Sequence, residues 1–196
     1  MRQNLLHCFV VVTLLFGGVG ACLKADERKM GSNDPPAVGD KAPDFTLKDL
    51  DDKAVSLSDS LKGGPAVVVV LRGYPGYQCP ICTKQFAELL SKSKNFAGSK
   101  TKVVFIYPGP ATDLDKYAKE FVGGKSFPDN FRFVIDPDYK FTELYHLRWN
   151  APAETAYPST FVVDSMGIVR FAKVSHSHGD RASSSEILEA LEKVKK

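Results

Sequence analysis

At 196 residues the chain is long enough for one domain with a proper core and some extension besides. Its net charge is +3, and residues 1–21 contribute only Arg2, so the remainder stands at +2 with its lysines scattered. That balance, with no block of basic residues, argues against a nucleic-acid partner. Four cysteines divide into Cys8 and Cys22 near the N-terminus and Cys79 and Cys82 in the body. A lone pair spaced CxxC suits catalysis better than a disulfide framework.

Arg2, the apolar stretch Leu5–Val19 and the small residues Gly20 and Ala21 together predict an export signal over 1–21. Val19-Gly20-Ala21-Cys22 resembles a bacterial lipobox, which implies a lipid on Cys22 and a membrane tether. Ordinary signal-peptidase cleavage after Ala21 also fits. The apolar stretch falls short of the ~20 residues of a membrane span. Residues 22–38 read as a polar linker, because Lys24–Pro36 has too little apolar surface to fold. The expected location is outside the cytoplasm: periplasmic, or anchored on the outer side of the cytoplasmic membrane.

The domain is expected over 39–196. Phe45–Leu47 and Ala54–Leu57 predict short strands about the Asp49–Lys53 turn. Ala66–Leu71 is a continuous apolar run of the kind buried on both faces of a sheet. A helix should follow, with Cys79 near its cap and Pro80 at the first helical position, where a missing N–H costs nothing. Cys82, Phe86, Leu89 and Leu90 then share its inward face, while Lys84 and Glu88 are placed for a surface pair. Lys102–Tyr107 predicts a second buried strand and Asp113–Phe121 a short helix ending near Gly123 and Gly124. Arg132–Ile135 is a third strand, with one or two helical turns over Asp138–Leu147. Thr160–Val163 and Ile168–Lys173 read as a hairpin about Asp164–Gly167. Ser183–Glu186 has capping-box spacing before a helix striped by Ile187, Leu188, Leu191 and Val194. Alternating strands and helices closed by a hairpin and a helix describe a thioredoxin-like α/β fold, a central mixed sheet flanked by helices.

Chemistry concentrates in Arg72-Gly73-Tyr74-Pro75-Gly76-Tyr77-Gln78-Cys79-Pro80-Ile81-Cys82, between the buried strand and its helix. Helix N-terminal N–H groups favour an anion, so a thiol there loses its proton easily, and the thiolate attacks disulfides and peroxides. An idle or purely structural pair fits less well, since one cysteine sits at a cap and so short a loop constrains little of the unfolded chain. No cofactor is needed, and no metal set is expected. His176 and His178 suggest a copper-handling alternative, though two histidines in a Ser/Gly loop more often face solvent. Phe141, Tyr145 and Trp149 are read as core rather than active-site mouth, and Asp136 and Asp164 as capping or turn residues.

Three segments carry a family resemblance: Gly39-Asp40-Lys41-Ala42-Pro43-Asp44-Phe45-Thr46-Leu47, Tyr74-Pro75 with Cys82-Thr83-Lys84-Gln85, and Pro158-Ser159-Thr160-Phe161-Val162-Val163-Asp164. Across Gly39–Lys173 they resemble the peroxiredoxins (alkyl hydroperoxide reductase/thiol-specific antioxidant). The resemblance implies reduction of hydrogen peroxide or organic hydroperoxides, with an external thiol donor. By position it makes Cys82 the peroxidatic thiolate and Cys79 its partner, with Pro75 at the family's proline; Arg72 is a candidate replacement cation, and Tyr157, Pro158 and Thr160, in a segment that resembles the cis-proline loop of thioredoxin-like proteins, are expected to orient substrate. Two residues depart from the family pattern: Cys79 stands where a threonine recurs, and Pro158 where an active-site arginine recurs. Both departures resemble thioredoxin-like oxidoreductases that act on protein disulfides. That second resemblance makes Cys79 the nucleophile and predicts a cis Tyr157–Pro158 bond.

Overall fold

The computed structural model describes residues 33–194. The expected leader, Cys22 and most of the 22–38 linker lie outside them. Strands β1 (Thr46–Asp49) and β2 (Ala54–Ser56) form a hairpin, followed by α1 (Leu57–Ser60) and β3 (Ala66–Val70). Next come α2 (Pro80–Ser91), α3 (Ser93–Gly98), β4 (Lys102–Gly109), α4 (Leu114–Val122) and β5 (Phe131–Pro137). The chain then forms α5 (Lys140–Leu144), the strands β6 (Ser159–Val163) and β7 (Val169–Val174), and α6 (Ser184–Val194). One mixed seven-stranded sheet results, in the order β2-β1-β5-β4-β3-β6-β7, with β3, β4 and β5 parallel.

The all-apolar β3 lies between β4 and β6, completely buried. Because side chains alternate along a strand, Val67, Val69 and Leu71 face one layer and Ala66, Val68 and Val70 the other. The first layer holds α2, α3, α4 and α6, and the second holds α1 and α5. Phe86 of α2 anchors the first layer. Its ring meets Phe105 at 4.9 Å, Phe121 at 5.4 Å and Phe133 at 5.8 Å between centroids. Burying such a ring stabilises the fold by about 2 kcal/mol, and edge-to-face geometry adds to it. No helix among the described residues is long and apolar enough to cross a membrane.

Several elements differ from expectation for local reasons. Leu57 opens α1 instead of ending a strand, because the Ser56 hydroxyl caps the Asp59 N–H at 3.0 Å. The helix α3 had no clear apolar stripe to announce it. The helix α5 is shorter than the expected segment, and Asp136 fixes its start by accepting from the Phe141 and Thr142 N–H groups. At α6 the capping box forms in both directions: Ser183 N–H donates to Glu186 at 2.8 Å, and Glu186 N–H to Ser183 Oγ at 3.3 Å. Glu88 accepts from Ser184 N–H at 2.9 Å rather than pairing with Lys84, which ties α2 to the start of α6.

Candidate active site

The site begins where β3 runs out. Its backbone continues through Leu71 and Arg72, then turns at Gly73 with φ +76°. A β-carbon at Gly73 would sit 1.8 Å from the Pro108 carbonyl oxygen, so only glycine permits this approach to β4. Beyond the turn, Tyr74 stacks on Tyr117 of α4 at 3.6 Å. Gln78 accepts from the Tyr107 hydroxyl at 2.7 Å and donates to the Tyr117 carbonyl at 2.9 Å. These contacts deliver Cys79 to the first turn of α2.

Cys79 is the N-cap, with extended backbone (φ −83°, ψ 113°), and Pro80 takes the first helical position as expected. Its sulfur accepts from the Cys82 N–H at 3.3 Å. The Cys82 sulfur in turn accepts from the Arg72 N–H at 3.4 Å. Both thiols are free and buried, Cys79 at 4% exposure and Cys82 at 1%. A guanidinium lies over the pair: Arg181 places Nη1 and Nη2 each 3.6 Å from the Cys82 sulfur, and Nη2 3.9 Å from that of Cys79.

The two thiols share one proton unequally. A hydrogen bond from the Cys82 thiol lowers Cys79 most, burial opposes it, and the Cys82 N–H, Arg181 and Arg72 add to the lowering. The net result brings Cys79 to about 5. Burial, and the bond it makes to Cys79, push Cys82 well above the ordinary thiol value, with Arg181 working the other way. Both directions favour the negative charge on Cys79 and the proton on Cys82.

Arg72 does not turn its side chain to the sulfurs. Its Nε donates to Glu154 at 2.5 Å and its Nη2 to the Ala153 carbonyl at 2.6 Å, with the Tyr77 ring 4.7 Å away. Burial by itself raises the Glu154 carboxyl, but Arg72 and His178 together hold it below the ordinary range. His178 meets the other carboxylate oxygen at 2.8 Å. Pro75 is half-buried in the loop ahead of Cys79. Thr160 is buried in β6, opposite Val69, and lies on the sheet face of the cysteine layer.

The Tyr157–Pro158 bond is trans, contrary to expectation. Extended pairing on both sides requires it. Tyr157 N–H donates to the Leu147 carbonyl at 2.8 Å, and the Pro158 carbonyl accepts from Ser175 N–H at 2.9 Å as β6 joins β7. Tyr157 stacks on Trp149 at 4.9 Å, while His176 meets the Tyr157 ring edge-on. Phe141 and Tyr145 are core residues. No group of three or more His, Cys, Asp or Glu among the described residues converges as a metal set. His178 faces Glu154 rather than the thiols, so the copper-handling alternative lacks a converging donor set.

Arg181 and Glu154 escaped the sequence reading, and Gln78 and Gln85 entered it only as members of the motif, with no role assigned. Arg181 stands 99 residues from Cys82 in a polar loop, and nothing local marks it.

A dithiol at a helix N-terminus, beside the central strand of a mixed sheet of thioredoxin-like fold, is an arrangement suited to thiol redox chemistry. The chain belongs to the AhpC/TSA family, whose pattern matches residues 38–172. It is 31% identical over 137 residues to the chloroplastic peroxiredoxin Q of Oryza sativa subsp. japonica, a match covering 68% of this chain and 57% of that protein. The chain thus spans little more than half of that relative's length. It is 30% identical over 131 residues to the thiol-disulfide oxidoreductase ResA of Bacillus subtilis, covering 67% of this chain and 64% of that one. The crystal structure of peroxidoxin BcpB from Mycobacterium tuberculosis superposes with a TM-score of 0.65 at 22% identity, covering 82% of this chain and 99% of that one. That likeness establishes the fold.

Alkylation by iodoacetamide follows the thiolate fraction, which rises with pH through the Cys79 value. The rate at Cys79 should reach half its maximum near pH 5 and be flat by neutrality. Cys82→Ala, which removes the thiol donor and supplies no hydroxyl in its place, should move that midpoint upward. Peptide mapping of the alkylated protein reads both. A wild-type midpoint in the ordinary range near 9 would contradict the shared-proton arrangement.

Proposed function

We propose that this chain is a thiol peroxidase that reduces hydrogen peroxide or organic hydroperoxides, with Cys79 as the attacking sulfur. The observation that carries the reading is the Cys79 sulfur at the cap of α2, accepting from the Cys82 N–H, with the Arg181 guanidinium reaching both sulfurs. Membership of the AhpC/TSA family and the likeness to peroxiredoxin Q support the substrate class.

The Cys79 thiolate attacks one peroxide oxygen. A sulfur–oxygen bond forms, the oxygen–oxygen bond breaks, and the sulfur gives up two electrons to the peroxide. The departing oxide takes the Cys82 proton and leaves as water or an alcohol, while Cys79 becomes a sulfenic acid. The Cys82 thiolate so formed attacks the Cys79 sulfur. A disulfide forms, and hydroxide leaves as water after taking a proton from solvent. An external dithiol donor then reduces the disulfide, becoming oxidised itself.

A second reading has one observation behind it: a helix-capping CxxC in a chain similar to ResA suits exchange with protein disulfides. In that reaction Cys79 attacks a substrate disulfide and Cys82 resolves the mixed disulfide.

Export and tethering belong to the same proposal. The apolar leader and Val19-Gly20-Ala21-Cys22 support a protein held by lipid at Cys22 on the outer side of the cytoplasmic membrane. The mass of the mature N-terminal peptide should show acyl chains on Cys22; an unmodified Cys22 would contradict the tether.

Stopped-flow oxidation of the reduced protein by hydrogen peroxide tests the reaction. Wild type should react at least about 100-fold faster than a small thiol at neutral pH, the scale of one well-placed charge-stabilising group. Cys79→Ser should fall to the small-thiol rate. Cys82→Ser should still be oxidised once, but should halt as a sulfenic acid without forming the internal disulfide. Wild-type rates no better than a free thiol, with rapid reduction of a protein disulfide, would replace this reading with the second.

A further inference from the structure

The cysteines lie beyond the C-terminal ends of the parallel strands, and a cavity opens at the other ends. There β1 pairs with β5 at only two positions, Lys48 with Ile135 and Asp49 with Val134, before the chain turns back into β2. The first residues of β5, Phe131–Phe133, therefore have a strand beside them on the β4 side alone. Along that bare edge lies a cavity of about 590 Å³, well within the size range of small-molecule sites. Its floor is apolar and mostly aromatic, made by Leu50, Val122, Phe127, Phe131 and Phe133. Phe127 and Phe133 are 6.1 Å apart between centroids, with their planes at 33°. Phe86 of α2 meets both rings, at 5.9 and 5.8 Å, so the floor is backed by the core.

The charges around this floor are unevenly matched. Lys53 pairs with Asp51 at 3.5 Å and Lys119 with Asp115 at 2.7 Å. Asp49 accepts the Asp51 and Lys53 N–H groups, each at 2.9 Å, so its carboxylate is occupied with the turn between β1 and β2. Lys125 and Arg132, by contrast, form no ion pair with a carboxylate among the described residues. They donate only to main-chain carbonyls: Lys125 to Val122 at 3.3 Å, and Arg132 to Asp129 at 3.1 Å and to Phe131 at 2.7 Å. Both Arg132 bonds leave from Nη1, so Nη2 and Nε keep their donors free among the described residues. Two cations with donors to spare thus stand beside an aromatic floor.

We propose that this cavity binds a small aromatic monocarboxylate, with its ring on Phe127 and Phe133 and its carboxylate held by Arg132 and Lys125. A guanidinium fork fits the two oxygens of a carboxylate, and an ammonium adds a point charge beside them. Three phenylalanines among five floor residues favour a flat ring over an alkyl chain, because ring-to-ring contact adds to simple burial. The site is separate from the dithiol and does not depend on which reaction the cysteines perform.

An NMR titration of the reduced full chain with 2-naphthoate tests this, following backbone amides. The shifts should saturate with a Kd of about 1 mM or tighter, the range of a fragment-sized acid, and should centre on Leu50, Phe127 and Phe131–Phe133. Neutral 2-naphthamide should bind at least about tenfold more weakly, the scale of a lost hydrogen bond to a charged group. Arg132→Gln and Lys125→Gln should each weaken 2-naphthoate by a similar factor while keeping the wild-type urea midpoint. Lys119→Gln removes a cation that Asp115 already holds, and should change Kd by less than about twofold. Decanoate should bind more weakly than 2-naphthoate. No saturable shifts, shifts centred on Cys79–Cys82, or equal binding of the amide would overturn the site. So would unchanged affinity in both charge variants, or an equal loss in Lys119→Gln. Tighter binding of decanoate would overturn the choice of an aromatic ligand.

Discussion

The proposed chemistry requires one negative charge to be kept inside this fold, at the buried end of the central strand and at the head of a helix. A thiolate in that position loses most of its hydration, and burial alone would push both sulfurs toward the neutral form. Donors around the sulfurs oppose that cost. The Cys82 N–H and thiol lie on one side, the first turn of α2 beneath, and the Arg181 guanidinium above. Splitting the pair into one anion and one protonated thiol is the least costly arrangement, since two adjacent thiolates would repel and two thiols would waste the donors. In the proposed reaction that asymmetry gives one sulfur the nucleophile's role and the other a proton to lend.

The scaffold meets this demand by rigidity. A strand buried on both faces leaves no slack at its end, and Gly73 lets the chain turn against β4 where any other residue would collide. Tyr107 and Gln78 then set the height of the cysteine loop. The Arg72–Glu154 pair is also buried, and pairs of this kind usually return in attraction about what their desolvation costs. Its worth here is positional. It clears the Arg72 side chain from the sulfurs, leaves the Arg72 N–H pointing at Cys82, and gives His178 a fixed carboxylate to hold the loop ahead of Arg181.

The sequence revealed those parts of the molecule that depend on local pattern. A valine run, a capping proline beside a cysteine, a Ser-to-Glu capping box and a stripe ending at a glycine each impose their element through near neighbours, and each formed. The family likeness likewise lies in contiguous segments. What stayed hidden depends on separation in the chain. Arg181 reaches the cysteines across about a hundred residues, and Glu154 reaches Arg72 across 82. No periodicity marks a polar loop residue as the partner of a distant sulfur. The expected cis bond at Pro158 failed for a related reason: a Tyr-Pro sequence permits either isomer, and pairing with Leu147 and Ser175 selects trans. Lys84 and Glu88 had the spacing of a surface pair, but Glu88 found a backbone N–H on α6 instead.

The central claim is that Cys79, rather than the cysteine in the family's usual peroxidatic position, carries the reactive charge. Brief peroxide treatment in the presence of dimedone, which traps sulfenic acids, tests it by mass spectrometry of the peptide that contains both cysteines. In the Cys82→Ser protein the adduct should form rapidly and quantitatively on Cys79, while Cys79→Ser should yield only slow labelling of Cys82. Fast, complete labelling of Cys82 in Cys79→Ser, with little on Cys79 in the other variant, would contradict it and return the attacking role to Cys82.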